Sequence, residues 1–300
     1  MSVRGWLNRA CVPAGWRAAV FVALGMAQLA VVMVLLAIVI SHTGDAWLIV
    51  NGHYTPLFIG LNELALLLPA LGATGAMAVL EDAPFSTYGL AGARRGVLTA
   101  QGLAAGVAAL GLLVGLLLVS GHGVAVVGRI GWIAVFHYGA AWLLASLLTG
   151  LAEELAFRGY LLTVLTRGVG FWPAAGLTSL LFCVLHGVNA GESVIGMAAI
   201  LGAGLVLALG VRLTGSLWWS IGFHGGWDYA ENYLFGTHDS GASCLGTLLD
   251  FTPRGATYLS GGGTGPEGSL FSLGVLALAG AGLWILRGRL ARCAATSGGK

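Results

Sequence analysis

Apolar residues in this chain fall into long unbroken runs, not into the alternating pattern of a half-buried strand or the one-sided stripe of a surface helix. Six runs, 18–41, 56–80, 97–120, 130–158, 217–234 and 269–286, are long enough to cross ~30 Å of hydrocarbon as helices. Two shorter runs, 171–188 and 194–211, bring the count to eight. The fifth in chain order, 171–188, is the weakest of the set, because Asn189, Gly191 and Glu192 follow it almost at once. The first run is longer than the apolar core of a signal peptide and has no convincing cleavage site after it, so it reads as a retained span. The pattern predicts an all-α fold, a polytopic membrane helix bundle of about eight transmembrane helices.

Polar positions between the runs set the orientation. Arg4, Arg9 and Arg17 precede span one, Arg94 and Arg95 separate spans two and three, and Arg167 separates four from five. Arg212 lies between six and seven, and Arg287, Arg289 and Arg292 follow eight, whereas the opposite connections hold only Arg129 and Arg254. Basic residues in alternate connections mark the cytoplasmic side, so both termini are expected there. Most of the 50 glycines lie inside the spans, as close helix contacts of the small-xxx-small kind require. Residues 236–268, rich in Gly, Ser and Thr, are expected to form an irregular loop on the outer face that covers the bundle. The expected organisation is helices one to three in 1–129, a core of helices four to seven in 130–235, and the outer loop, last helix and basic tail in 236–300.

Composition narrows the class further. A chain with 57% hydrophobic and 9% charged residues lies far from the roughly 25% charged content of soluble domains. The net charge of +2 gives no footing for nucleic acid. Thirteen arginines against the single lysine, Lys300, look like a genome bias and suggest a bacterial source, hence a multi-pass protein of the cell (plasma or inner) membrane. The cysteines Cys11, Cys183, Cys244 and Cys293 have no paired spacing, so neither a disulfide framework nor a thiolate metal site is indicated.

Against this background the segment Glu153-Glu154-Leu155-Ala156-Phe157-Arg158-Gly159 stands out. An ionised side chain at membrane depth costs at least ~2.5–3.5 kcal/mol, so three together point to function. At four-residue spacing Glu154 and Arg158 share a helix face and can pair, while Glu153 is turned ~100° away. A packing ion pair between helices explains Glu154 and Arg158 but leaves Glu153 without a partner. His186 with Phe182, and His224 with Asp228, repeat the four-residue spacing on two further spans, and Glu231 extends the second face. With a hairpin tip near residues 168–170, Glu153 and His186 both lie ~24 Å from it and are therefore level. His224 joins them only if about half of that hairpin projects into the cytoplasm. His137 reads as a hydrogen-bonded interior residue. Glu63 with Asn62 in span two is open between a helix contact and a lining of the same cavity.

A glutamate, two histidines and a further carboxylate in a low-dielectric cavity are the parts for activating water. A buried glutamate can act as general base with a histidine sharing or relaying the proton, and a second histidine paired with Asp228 can donate to the oxyanion of an attacked amide. The chemistry suggested is peptide-bond hydrolysis, with no nucleophile elbow and no HExxH helix in the chain. A proton-coupled transporter needs the same residue types, but usually shows two related halves, whereas here the cluster lies after residue 130. A non-catalytic membrane scaffold that binds partner proteins is the third possibility.

Three motifs in order, EExxxR with its glycine (Glu153, Glu154, Arg158, Gly159), FxxxH (Phe182, His186) and HxxxD (His224, Asp228), resemble the signature of the CAAX-prenyl-protease and bacteriocin-processing (CPBP) intramembrane proteases. The glycine-rich 261–269 is similar to a segment before the last helix of some bacterial members. The resemblance implies an eight-helix bundle and an intramembrane endopeptidase acting on a membrane-associated protein or peptide in the lipid bilayer. It also implies that Glu153 and His186 activate water, that His224 and Asp228 support the oxyanion, and that Glu154, Arg158 and Phe182 hold the motifs. Members closest to the prenyl-protein endopeptidases carry asparagine where this chain has Asp228, so Asp228 is read as orienting His224 or as protonated. The family is often labelled metalloprotease, and Glu153, His186 and His224 form a possible zinc set. Their origin on three separate spans favours a metal-free glutamate mechanism.

Overall fold

The computed structural model describes residues 12–45, 47–92, 94–189 and 191–295, with side chains up to 287. Arg4, Arg9, Cys11 and Lys300, and the side chains of Arg289, Arg292 and Cys293, lie outside the described residues. All eight apolar runs are helical. They form α1 (Ala14–Thr43), α2 (Pro56–Glu81), α3 (Arg95–Val119), α4 (Trp132–Glu154), α5 (Tyr160–Val169), α6 (Phe171–His186), α7 (Val194–Thr214), α8 (Trp218–Tyr229) and, after the short α9 (Thr257–Ser260), α10 (Leu270–Ala295). The chain is thus an all-α polytopic membrane bundle. Among the described residues six helices are long and apolar enough to cross a membrane, namely α1, α2, α3, the continuous Trp132–Val169, α7 and α10; α6 has 16 residues, and α8, expected to span over 217–234, has 12 before a π-helical turn at Ala230–Phe235.

The fourth helix differs from the expected 130–158. A π-helical turn, Leu155–Gly159, joins α4 to α5, so the helix runs on through Trp132–Val169 for 38 residues. At 1.5 Å per residue that is ~57 Å, nearly twice the hydrocarbon thickness, so part of it stands outside the hydrocarbon. The extension 160–169 continues because it keeps one apolar face, and Tyr160, Leu161, Leu162 and Val164 are buried. Gly170, at φ 83°, then turns the chain into α6.

Helix α8 is held by glycines on both sides. A Cβ on Gly102 or Gly106 of α3 would collide with the carbonyls of Trp219 or Phe223, and one on Gly222 or Gly226 of α8 with those of Thr99 or Leu103. On its other side, a Cβ on Gly225 would stand 2.8 Å from the Ser146 carbonyl of α4, and one on Gly150 of α4 would be 2.5 Å from that of Ile221. The side-chain-free contacts bring three backbones into touch, as membrane packing without a hydrophobic drive between helices favours. The helix that carries His224 and Asp228 is therefore fixed at backbone level against α3 and α4.

Three helix ends converge on a buried carboxylate. Glu81, at the end of α2, accepts hydrogen bonds from Tyr160 (2.5 Å) and Tyr88 (3.0 Å), and Arg17 of α1 and Arg167 of α5 each stand 3.7 Å from it. Two of the arginines expected on one side of the membrane thus meet at one end of the bundle. At the other end the loop 236–268 is more regular than the expected irregular cover. Its strand β4 (Leu249–Pro253) pairs antiparallel with β3 (Gly123–Val127), where the missing side chain of Gly123 makes room for the Phe251 ring. A second small pair, β1 (Ile49–Val50) and β2 (His53–Tyr54), leads into α2.

Candidate active site

Glu153 and Glu154 are the last two residues of α4, before the π-helical turn, a local widening often found at functional sites. The two carboxylate oxygens of Glu153 face two histidines from other helices. His186 Nε2, at the end of α6, is 3.8 Å from Oε1, and His224 Nε2, on α8, is 3.3 Å from Oε2. The expectation that Glu153 and His186 are level holds, and His224 joins them.

Each imidazole is oriented from behind. His186 Nδ1 donates to the Phe182 carbonyl at 2.9 Å, one helical turn back, which leaves Nε2 turned towards Glu153. His224 Nδ1 donates to Glu154 Oε1 at 3.1 Å, and the same oxygen accepts from Arg158 Nη1 at 3.0 Å. Glu154 and Arg158 have fully buried side chains. The guanidinium also lies over the Phe182 ring, 4.4 Å from its centroid, where a cation is attracted to the ring face. Phe182 thereby links the first two motifs. Asp228 Oδ1 stands 3.9 Å from His224 Nε2, so the hydrogen bond that fixes this ring comes from Glu154.

These side chains open on a cavity of about 600 Å³ lined by residues of α2, α4, α6, α7, α8 and the outer loop. Glu153, His186, His224, Asp228 and Phe182 all border it, and so does Glu63 with Asn62. Glu231 is instead buried, with the Thr237 hydroxyl at 3.5 Å from its Oε1. His137, expected inside, lies on the exposed face of α4.

The outer loop contributes Asp239 and Glu267 to the lining, which the sequence pattern does not single out. Glu267 accepts a hydrogen bond from Trp227 Nε1 at 2.9 Å, and Asp239 one from Asn232 at 3.3 Å. Burial, followed by the neighbouring charges of Asp239 and Glu192, pushes the Glu267 carboxyl up to about 7. Burial likewise raises Asp239, against the opposing hydrogen bond from Asn232.

A catalytic zinc ion gathers its donor atoms within ~2.0–2.2 Å of one point. Here the two oxygens of Glu153 serve different imidazoles, and no group of three or more His, Cys, Asp or Glu among the described residues is disposed to hold a metal.

Residues 135–230 match the family model described as type II CAAX prenyl endopeptidase Rce1-like. That segment begins in α4 and ends in α8, and it contains every residue of the three motifs. The match, over about a third of the chain, supports membership of the CPBP family. No curated protein and no solved structure matches the chain. The helices make the chain a multi-pass membrane protein, and at family level the match supports an intramembrane endopeptidase of the CAAX type.

Proposed function

We propose that this CPBP protein hydrolyses a peptide bond of a membrane-associated protein or peptide with water activated by Glu153. The observation that supports the reading is the meeting of the Glu153 carboxylate with His186 and His224, each from a different helix, at the wall of one cavity. A gap of 3.8 Å between Glu153 and His186 is too long for a direct hydrogen bond, and leaves both groups able to address one water.

In this reading Glu153 takes a proton from water as the oxygen attacks the scissile carbonyl, and His186 holds that water. The oxyanion that forms accepts a hydrogen bond from Nε2 of the doubly protonated His224 ring. Glu154 holds Nδ1 of that ring, and Asp228 stands beside Nε2 to stabilise the imidazolium. Glu153 then passes its proton to the leaving amine, the carbon–nitrogen bond breaks, and a carboxylic acid and an amine remain. Glu154, Arg158 and Phe182 position these groups. Residues 130–235 act as the protease core, with 1–129 and 236–300 enclosing it, eight spans in a cell (plasma or inner) membrane, and both termini cytoplasmic.

The test is to incubate the full-length protein in lipid nanodiscs with membrane-anchored peptides in heavy-oxygen water and examine the products by mass spectrometry. Cleavage at one bond with a single heavy oxygen in the new carboxylate is expected. Intact peptides together with proton-coupled solute uptake by vesicles would support the transporter instead.

A further inference from the structure

The charges around the cavity are one-sided. Glu63 of α2, Glu153 of α4, Asp228 of α8, and Asp239 and Glu267 of the outer loop all line it, and its lining residues include no lysine or arginine. Among the described residues, the groups there able to carry positive charge are His186 and His224. Arg158 sits behind the wall and is taken up by Glu154 and the Phe182 ring.

Besides Glu153, whose buried Oε2 faces His224 at 3.3 Å, two of these carboxylates are left short of partners at the cavity. Asp228 is 9% exposed and its Oδ2 is buried without a hydrogen-bond partner. The same holds for Oε2 of Glu63, a residue outside the family-matched segment. Burying a carboxylate oxygen with nothing to bond to costs several kcal/mol unless a ligand supplies the partner. Five carboxylates and two imidazoles in a low-dielectric space cannot all be ionised. The missing positive charge comes either from bound protons or from what enters the cavity. The rest of the wall, including Phe58, Ile59, Leu185 and Ile200, is apolar.

We propose that the cavity selects a peptide segment with a basic side chain, lysine or arginine, close to the scissile bond, and that Glu63 with Asp239 and Glu267 forms the wall that receives it. This rests on the endopeptidase reading above and names its substrate class. The same field disfavours an acidic side chain or a free C-terminal carboxylate inside the cavity, because juxtaposing like charges costs several kcal/mol.

The test compares membrane-anchored peptides identical except for lysine, norleucine, glutamate or a free C-terminus next to the cleaved bond, with the full-length protein in zwitterionic nanodiscs. The expected result is a kcat/KM for the lysine peptide about tenfold or more above the norleucine one, with the glutamate and free-carboxylate peptides lowest. Glu63→Gln and Asp239→Asn are expected to shrink the lysine-to-norleucine ratio, and Glu63→Lys to invert the lysine-to-glutamate order. A lysine-to-norleucine ratio of one or less on the wild-type protein overturns the proposal even if every variant misfolds. If no peptide is cut, equilibrium binding of the same set to the nanodiscs takes the place of rates. Tighter binding of the lysine peptide then supports the charge preference while the hydrolase reading fails, and equal or weaker binding overturns the preference too.

Discussion

Glu154 and His224 are joined by a hydrogen bond of 3.1 Å between residues 70 apart in sequence, and it makes the second glutamate of the pair the holder of the imidazole as well as the partner of Arg158. The two adjacent acids therefore have different neighbours. Glu153 looks into the cavity, while Glu154 looks into the protein.

From that division it follows that Glu154→Ala leaves the buried Arg158 guanidinium without its counter-ion, an error that typically costs about 3–5 kcal/mol. The variant is expected to lose thermal stability together with activity. Glu154→Gln, which keeps an oxygen for Nδ1 but not the charge, is expected to fall between the two. Melting temperatures in detergent check this, and a Glu154→Ala protein as stable as wild type would show that the pair does not hold the bundle.

The glycines that seat α8 give a second prediction. Gly226→Ala drives a Cβ into the Leu103 backbone, and Gly106→Ala drives one into the Phe223 carbonyl. Overpacking of this kind costs about 1–3 kcal/mol. It also shifts His224 and Asp228, and a ~1 Å misplacement of catalytic groups is enough to cost about 10²-fold in rate. Gly115→Ala on α3, where a Cβ meets nothing within 4 Å, serves as the control and is expected to behave as wild type. Equal losses at all three positions would contradict the packing account.

Glu267 carries a pH dependence of stability. Its ordinary value of 4.5 is raised to about 7 by burial and by Asp239 and Glu192, against the hydrogen bonds from Trp227 and Glu231. Between those values the folded chain keeps a proton that the unfolded chain has already released. The contribution of Glu267 to stability is therefore fully present below about pH 4.5 and is lost as pH rises through about 7. Glu267→Gln is expected to flatten the decline, and the comparison is thermal unfolding of both proteins across that window. An unchanged slope in the variant would remove Glu267 as its source.

Much of the bundle was legible because membrane-spanning helices announce themselves by length and apolarity, and all eight runs are helices. The pairings Glu154 with Arg158 and His224 with Asp228 followed from four-residue spacing, although the second is 3.9 Å apart and looser than the Glu154–His224 bond. That bond was out of reach, since no spacing rule relates residues on different helices. Val169 as the true end of the fourth helix was missed because Arg158 and Gly159 look like a stop, whereas a π-helical turn carries the helix past them. Asp239 and Glu267 were hidden in a glycine-rich loop without periodicity, where turns at Gly261, Gly262 and Gly265 lead up to Glu267. All three of those glycines have positive φ. The interior place expected for His137 failed because a histidine at the start of α4 can face outward.

The central claim is that Glu153 is the base, and the most direct measurement is the turnover of one membrane-anchored peptide by wild type and Glu153→Gln in nanodiscs, alongside the melting temperature of each. Glu153 has no arginine partner to strand, so the variant is expected to melt within a few degrees of wild type while its kcat falls by about 10²-fold or more. A Glu153→Gln protein that keeps most of its activity would contradict the account.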